Sequence, residues 1–251
     1  MIAAIAALQA EIAPQLAHVF AVFLRVGGLL LLLPGLGDRL IPVRIRLAGA
    51  FALSVAVAPL VASGGPVAPG LIAVETATGA ALGAVVRFVI QALLMAGMIA
   101  AQLTSLSQLF GAVEPSSAMG NMLNLAGLAL LMALGLPMMV VEMLTRSYDV
   151  FPMGGLLGGD DLAQWGVARM AQGFALAFAL AAPFALAALL YNAALGVLNR
   201  AMPQLMVALV GAPAITWISA VLLFLAAPLI LTVWQQAILG LLADPLTGGS
   251  P

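Results

Sequence analysis

The stretch VLNRAMPQLMVALVGAP, residues 197–213, sets Asn199, Arg200, Pro203 and Gln204 as a polar island between two of the most apolar runs of the chain. Such an island can be a loop between membrane spans, a substrate site inside the membrane, or a fixed piece of a larger assembly. The runs on either side decide the class. Apolar residues make up 65% of the 251 and charged residues 7%, with a mean hydropathy of +1.22. Soluble domains have roughly 45–50% apolar and about 25% charged residues. The chain therefore reads as an all-α integral membrane protein, because lipid offers backbone N–H and C=O groups no partner outside their own helix.

Composition also removes several functions. Net charge is −1 and all eight basic residues are arginine, so there is no polybasic tail to hold nucleic acid or anionic lipid. Cysteine is absent, which excludes disulfides, thiolate metal sites and a thiol nucleophile. His18 is the only histidine, and a lone histidine in an apolar helix reads as a satisfied helix residue rather than a ligand. Neither a metal centre nor a Ser/His/Asp set can be built around it. No cofactor and no catalytic residue is expected. The opening MIAAIAALQAEIAPQ lacks the basic start of a cleaved signal, so the first apolar run reads as a retained span.

Outward from the island, apolar runs fall at 16–36, 47–62, 71–109, 122–145, 166–198 and 205–243, giving about six helical segments. Their lengths do not suit plain spans. At ~1.5 Å per residue the second rises only about 24 Å, while the third and last each rise nearly 60 Å against a hydrocarbon core of ~30 Å. Pro183, Pro213 and Pro228, with Gly79, Gly83 and Gly97, mark places where the long runs are expected to kink or fold back. Gly79 and Gly83 also share a helix face that permits close backbone approach. Arg39, Arg44 and Arg46 in the first break, with none in the second and Arg200 on the alternating side, place that break in the cytoplasm and the amino terminus outside.

Charges inside apolar runs are the first candidates for chemistry. Arg25, Glu75, Arg87 and Glu142 would each cost at least ~2.5–3.5 kcal/mol facing lipid, so they are expected to face protein or water. One reading is an ion or proton path of a secondary transporter. The other, favoured here, is structural ion pairing, since there is no carboxylate pair at helical spacing and Glu142 has Arg146 at i+4.

The second candidate is QLFGAVEPSSAMGNMLN, residues 108–124, too polar to cross lipid extended yet keeping apolar side chains. That mixture suits a loop lining or plugging a cavity, with Phe110, Gly111, Val113, Glu114, Pro115, Met119, Gly120 and Met122 as the candidate plug residues and Gly111 and Gly120 as candidate hinges. Eight of the thirteen methionines cluster around it, from Met95 to Met143. Thioether side chains re-pack readily, as a seal around a passing chain needs, and equally fill ordinary gaps in a helix core.

Three ordered motifs give these pieces a common source. LRVGGLLLLLPGLGDRLIPVRIRLAGA (24–50) carries Arg25, Pro34, Arg39, Pro42, Arg44 and Arg46; VEPSS (113–117) is an acidic-Pro-Ser loop; LNRAMPQLMVALVGAP (198–213) joins Asn199-Arg200, Pro203-Gln204-Leu205 and Gly211-x-Pro213. Together they resemble the FliR proteins of the bacterial flagellar export gate and their injectisome relatives in type III secretion, over nearly the whole chain. Met206 stands where that family usually has Asn, and Ala208 where it has an aromatic residue. VGAP and PMGG (152–155) are closer to the flagellar branch.

The resemblance implies a non-enzymatic core subunit at the flagellar basal body in the bacterial inner membrane. Its implied partners are P-type and Q-type gate subunits, B-type switch and A-type export proteins, unfolded flagellar cargo and membrane lipid. Residues 1–160 would be P-subunit-like with a pore loop at 110–122, and 161–251 a Q-subunit-like helical hairpin, divided near LGGDDLAQW (157–165). The polar island would then be a structural hairpin tip at the cytoplasm-facing entrance. The transporter remains the rival, but it calls for repeated broken helices, and no internal repeat is found.

Overall fold

The computed structural model describes residues 2–34, 42–62, 69–104, 118–155, 159–201 and 207–244; for 2–11, 69, 159–162, 207–213 and 216 it describes the backbone alone. Among the described residues every regular element is helical. They are α1 (Ile2–Leu32), α2 (Val43–Val57) running into a 3₁₀ turn (Ala58–Leu60), α3 (Pro69–Thr104), α4 (Ala118–Ala133), α5 (Leu136–Val150), α6 (Gly159–Ala201) and α7 (Val207–Ala243). Five helices are long and apolar enough to cross a membrane, or six if α4 and α5 are counted as one broken span.

The breaks fall elsewhere than expected. Over their described residues the long third, fifth and last runs each continue as one helix, with Pro183 inside α6 and Pro213 and Pro228 inside α7. It is the shorter run 122–145 that divides. Gly135 adopts φ +86°, a left-handed conformation that costs glycine little, and α5 starts at the next residue with proline in its first turn. Of the residues expected to form the plug, Met119, Gly120 and Met122 belong to α4, which starts at Ala118.

The chain forms two compact units. The first comprises 1–88, 134–170 and 239–251. In it α1 and α3 meet with almost no gap. A Cβ added at Gly79 would stand 2.0 Å from the Arg25 carbonyl oxygen, one at Gly83 2.5 Å from that of Leu29, and one at Gly28 2.5 Å from that of Thr76. Small residues on both faces thus bring backbone to backbone, as the Gly79/Gly83 spacing led one to expect. Beside them α2 runs back along α1, where the His18 ring, through Nε2, hydrogen-bonds the Ala58 carbonyl at 2.8 Å.

The second unit comprises 89–133 and 171–238. Here Gly97 of α3 and Gly120 of α4 meet, a Cβ on the former falling 2.3 Å from the Cα of the latter. Gly120, expected as a hinge, is a packing surface for α3 in this arrangement. Gly127 of α4 opens onto Leu93 and the Trp234 ring, and the buried Trp234 indole donates to the Val89 carbonyl at 2.9 Å. On α6 the buried residues Ala177, Leu180, Ala181, Phe184 and Ala188 follow helical spacing, while Phe178, Leu186, Leu189 and Leu190 stand exposed.

Candidate functional site

The densest polar site lies in the first unit, around Arg25. Its position on α1, four residues before Leu29, points the side chain between α3 and α5, and both it and Glu75 of α3 are 0% exposed. Arg25 Nε donates to Glu75 Oε2 at 2.7 Å and Nη2 to Oε1 at 3.1 Å, a fork matching a planar cation to a planar anion. The remaining donors are used as well: Nη1 reaches Ser147 Oγ at 3.1 Å and Nη2 the Phe151 carbonyl at 2.9 Å. The Tyr148 ring covers the guanidinium face, 3.6 Å from Cζ to the ring centroid.

The loop after α5 closes the carboxylate. Gly154 N–H donates to Glu75 Oε1 at 2.9 Å. Gly154 has φ +74°, and a Cβ there would lie 2.9 Å from a Leu71 methyl, so both its conformation and its closeness require glycine. Ser147 in turn donates to the Leu144 carbonyl, which fixes its hydroxyl as an acceptor for the arginine. Arg25 and Glu75 are thus matched, covered and held by further hydrogen bonds to Ser147, Phe151 and Gly154, which is the condition for a buried pair to be tolerated. Such a node joins α1, α3, α5 and the 151–154 loop, and it leaves no open face to load or release an ion.

The other charges of the transporter reading do not join it. Arg87 donates to the Leu32 carbonyl at the end of α1, at 3.4 Å. Glu142 pairs with Arg146 at 2.6 Å, both about half exposed, as the i+4 spacing predicts, and Arg146 also donates to the Ala243 carbonyl. Among the described residues there is no group of three or more His, Asp or Glu able to hold a metal ion.

The motif residues are spread more widely. Pro34 lies in the turn after α1, and Pro42 caps α2 with an extended backbone, φ −55° and ψ 139°. Arg44 is exposed and Arg46 half-buried in the first turns of α2. Asn199 and Arg200 are exposed at the carboxyl end of α6, where a cation complements the helix dipole. Gly211 and Pro213 are within α7. Gly120 is buried, Met119 half-buried and Met122 exposed. Phe110, Gly111, Val113, Glu114, Pro115, Arg39, Pro203 and Gln204 lie outside the described residues. Sequence reasoning missed Ser147, Tyr148 and Gly154; the one available signal was Ser147-Tyr148 interrupting the apolar pattern just before PMGG.

Comparison with known proteins supplies the deciding observation. The family profile of bacterial export proteins, family 1, matches residues 16–241. The chain belongs to the FliR family of bacterial export proteins. It is 34% identical over 226 residues to the flagellar biosynthetic protein FliR of Caulobacter vibrioides, covering 86% of this chain and 90% of the relative. It is 30% identical over 222 residues to that of Aquifex aeolicus, covering 83% and 84%. Membership makes the chain an inner-membrane subunit of a flagellar export apparatus and sets it apart from enzymes. The motifs at 24–50 and 198–213 both fall inside the matched range.

Proposed function

We propose that the chain is the single R-type subunit completing a helical assembly of P-type and Q-type subunits at the flagellar basal body, working with B-type switch and A-type export proteins. In this reading the assembly forms and closes the pore through which unfolded flagellar proteins leave the cytoplasm. Residues 1–160 act as the P-like part and 161–251 as the Q-like hairpin. The segment 110–122 closes the pore, with its helical end at 118–122 packed on Gly97. Arg44, Arg46, Asn199, Arg200 and Gln204 serve assembly at the cytoplasm-facing end.

The observation that carries the reading is the family match over 16–241. The closed Arg25–Glu75 node favours a scaffold over a secondary transporter, because a transport site must exchange partners and this buried pair is held by four hydrogen bonds from Arg25.

The test removes Ala112 to Ser117 in a strain making the P- and Q-type subunits. Assembled complex should be recovered at the parent yield while the inner membrane leaks ions and small solutes. A shortened chain that assembles, reaches the membrane and stays as tight as the parent overturns the plug. Arg200→Ala should lower the yield of complex; normal yield with export lost would assign that residue to cargo instead.

A further inference from the structure

We infer that the groove between α1 and α2 is a binding site for one anionic phospholipid molecule, with an acyl chain lying along Gly27 and the phosphate met by Arg46 and Arg44. The groove has a volume of about 480 Å³ and is lined by Phe23, Gly27, Leu31, Leu47, Ala50 and Arg46, among others, with Thr76 of α3 at its floor. Its direction follows from the pairing of the two helices. His18 meets Ala58 at one end, and Leu31 lines the groove with Val43 at the other, so α1 and α2 run antiparallel. The slot therefore leads from Arg46, in the first turns of α2, down to Ala50 and Phe23 in the apolar middle.

Two adjacent glycines make the slot. Gly28 is pressed against the α3 backbone, whereas a Cβ on Gly27 would meet nothing within 4 Å. One wall is thus bare backbone facing open space, and an unbranched hydrocarbon chain fits such a channel better than a helix studded with side chains.

Charge selects the headgroup. Among the described residues lining the groove Arg46 is the only charged one, and Arg44, exposed two residues earlier, adds a second cation at the same end. Both lie in the first turn of an 18-residue apolar stretch, Val43–Leu60, long enough to enter a membrane. An arginine at that level extends its guanidinium toward the headgroups while its methylenes line the apolar channel. A lone pair of arginines holds a single phosphate, which is distinct from the polybasic attraction to a charged surface that the sequence lacks.

The experiment takes the full-length chain in detergent and offers it phosphatidylglycerol or phosphatidylcholine of matched acyl chains, reading retained lipid by native mass spectrometry. Phosphatidylglycerol should be retained in preference. Arg46→Gln should reduce that preference about fivefold, the effect of one basic residue near an anionic lipid, with phosphatidylcholine unchanged. Gly27→Phe should fill the slot and lose both lipids. Gly49→Phe, which adds the same ring at another position with nothing within 4 Å, should keep both. Phosphatidylglycerol carrying an acyl-chain diazirine should label 23–31 and 43–50 of the unmodified chain, an outcome independent of whether any variant folds. Equal retention of the two lipids, an Arg46→Gln chain with undiminished preference, or label elsewhere overturns the inference. When Gly27→Phe is made in a strain that also makes the P- and Q-type subunits, loss of the recovered partners with lipid retention unaltered would assign the groove to a protein helix instead.

Discussion

The two halves of α3 hold their neighbours by different means. Its first half, in one compact unit, carries Glu75, Gly79 and Gly83, and grips α1 through a buried ion pair as well as through backbone contact. Its second half, in the other unit, carries Val89, Leu93 and Gly97, and meets α4 and α7 through glycine contact and one indole hydrogen bond. Glycine contact is common to both, because apolar burial gives helices little reason to associate when lipid is equally apolar. The ion pair is what differs. A fork of hydrogen bonds is satisfied at one register and one rotation, so the first half is fixed by chemistry where the second is fixed mainly by shape.

Breaking the ion pair should have the largest effect. Arg25→Ala leaves the Glu75 carboxylate buried and unpaired, and should lower stability by about 3–5 kcal/mol. Thermal unfolding in detergent, followed by circular dichroism, measures it. Arg25→Met with Glu75→Leu should recover most of the loss, because no uncompensated charge is left. A single variant as stable as the parent would remove the contrast between the halves.

Glycine contact should be affected alike on both sides. Gly79→Ala and Gly97→Ala each place a methyl group where backbone already stands, and each should cost about 1–3 kcal/mol. A large loss at Gly79 with none at Gly97 would show that close approach matters only where the ion pair demands it. Trp234→Phe keeps most of the ring and removes the bond to the Val89 carbonyl; a loss of about 0.6 kcal/mol in the same melt is expected. A much larger loss would make the indole the counterpart of the Arg25 node. Smallest is Glu142→Gln, which weakens a half-exposed i,i+4 pair and should change stability by only about 0.3–0.5 kcal/mol.

The same contrast explains what could be read in advance. Gly79/Gly83 was legible because both members of the pair lie on one helix, four residues apart. Glu142 with Arg146 was legible for the same reason. Gly97 with Gly120 was not, because each looks like an isolated breaker in its own run. Arg25 was legible as a residue needing a partner, but its partners lie 50 residues away at Glu75 and 122 away at Ser147. Nothing local in the sequence connects them.

By itself the sequence determined the membrane class, the helical architecture, the absence of thiol chemistry and, through three spaced motifs, the export family. These follow from composition and local pattern: lipid forces apolar runs into helices, and arginine, proline and glycine punctuate them. Tertiary structure alone decided which helices break, which glycines are contacts, and where each buried charge is satisfied. Lipid-embedded helices are apolar on nearly every side, so periodicity does not show which face meets which neighbour. That choice rests on backbone fit and on a few long-range hydrogen bonds, and both exist only once the helices are side by side.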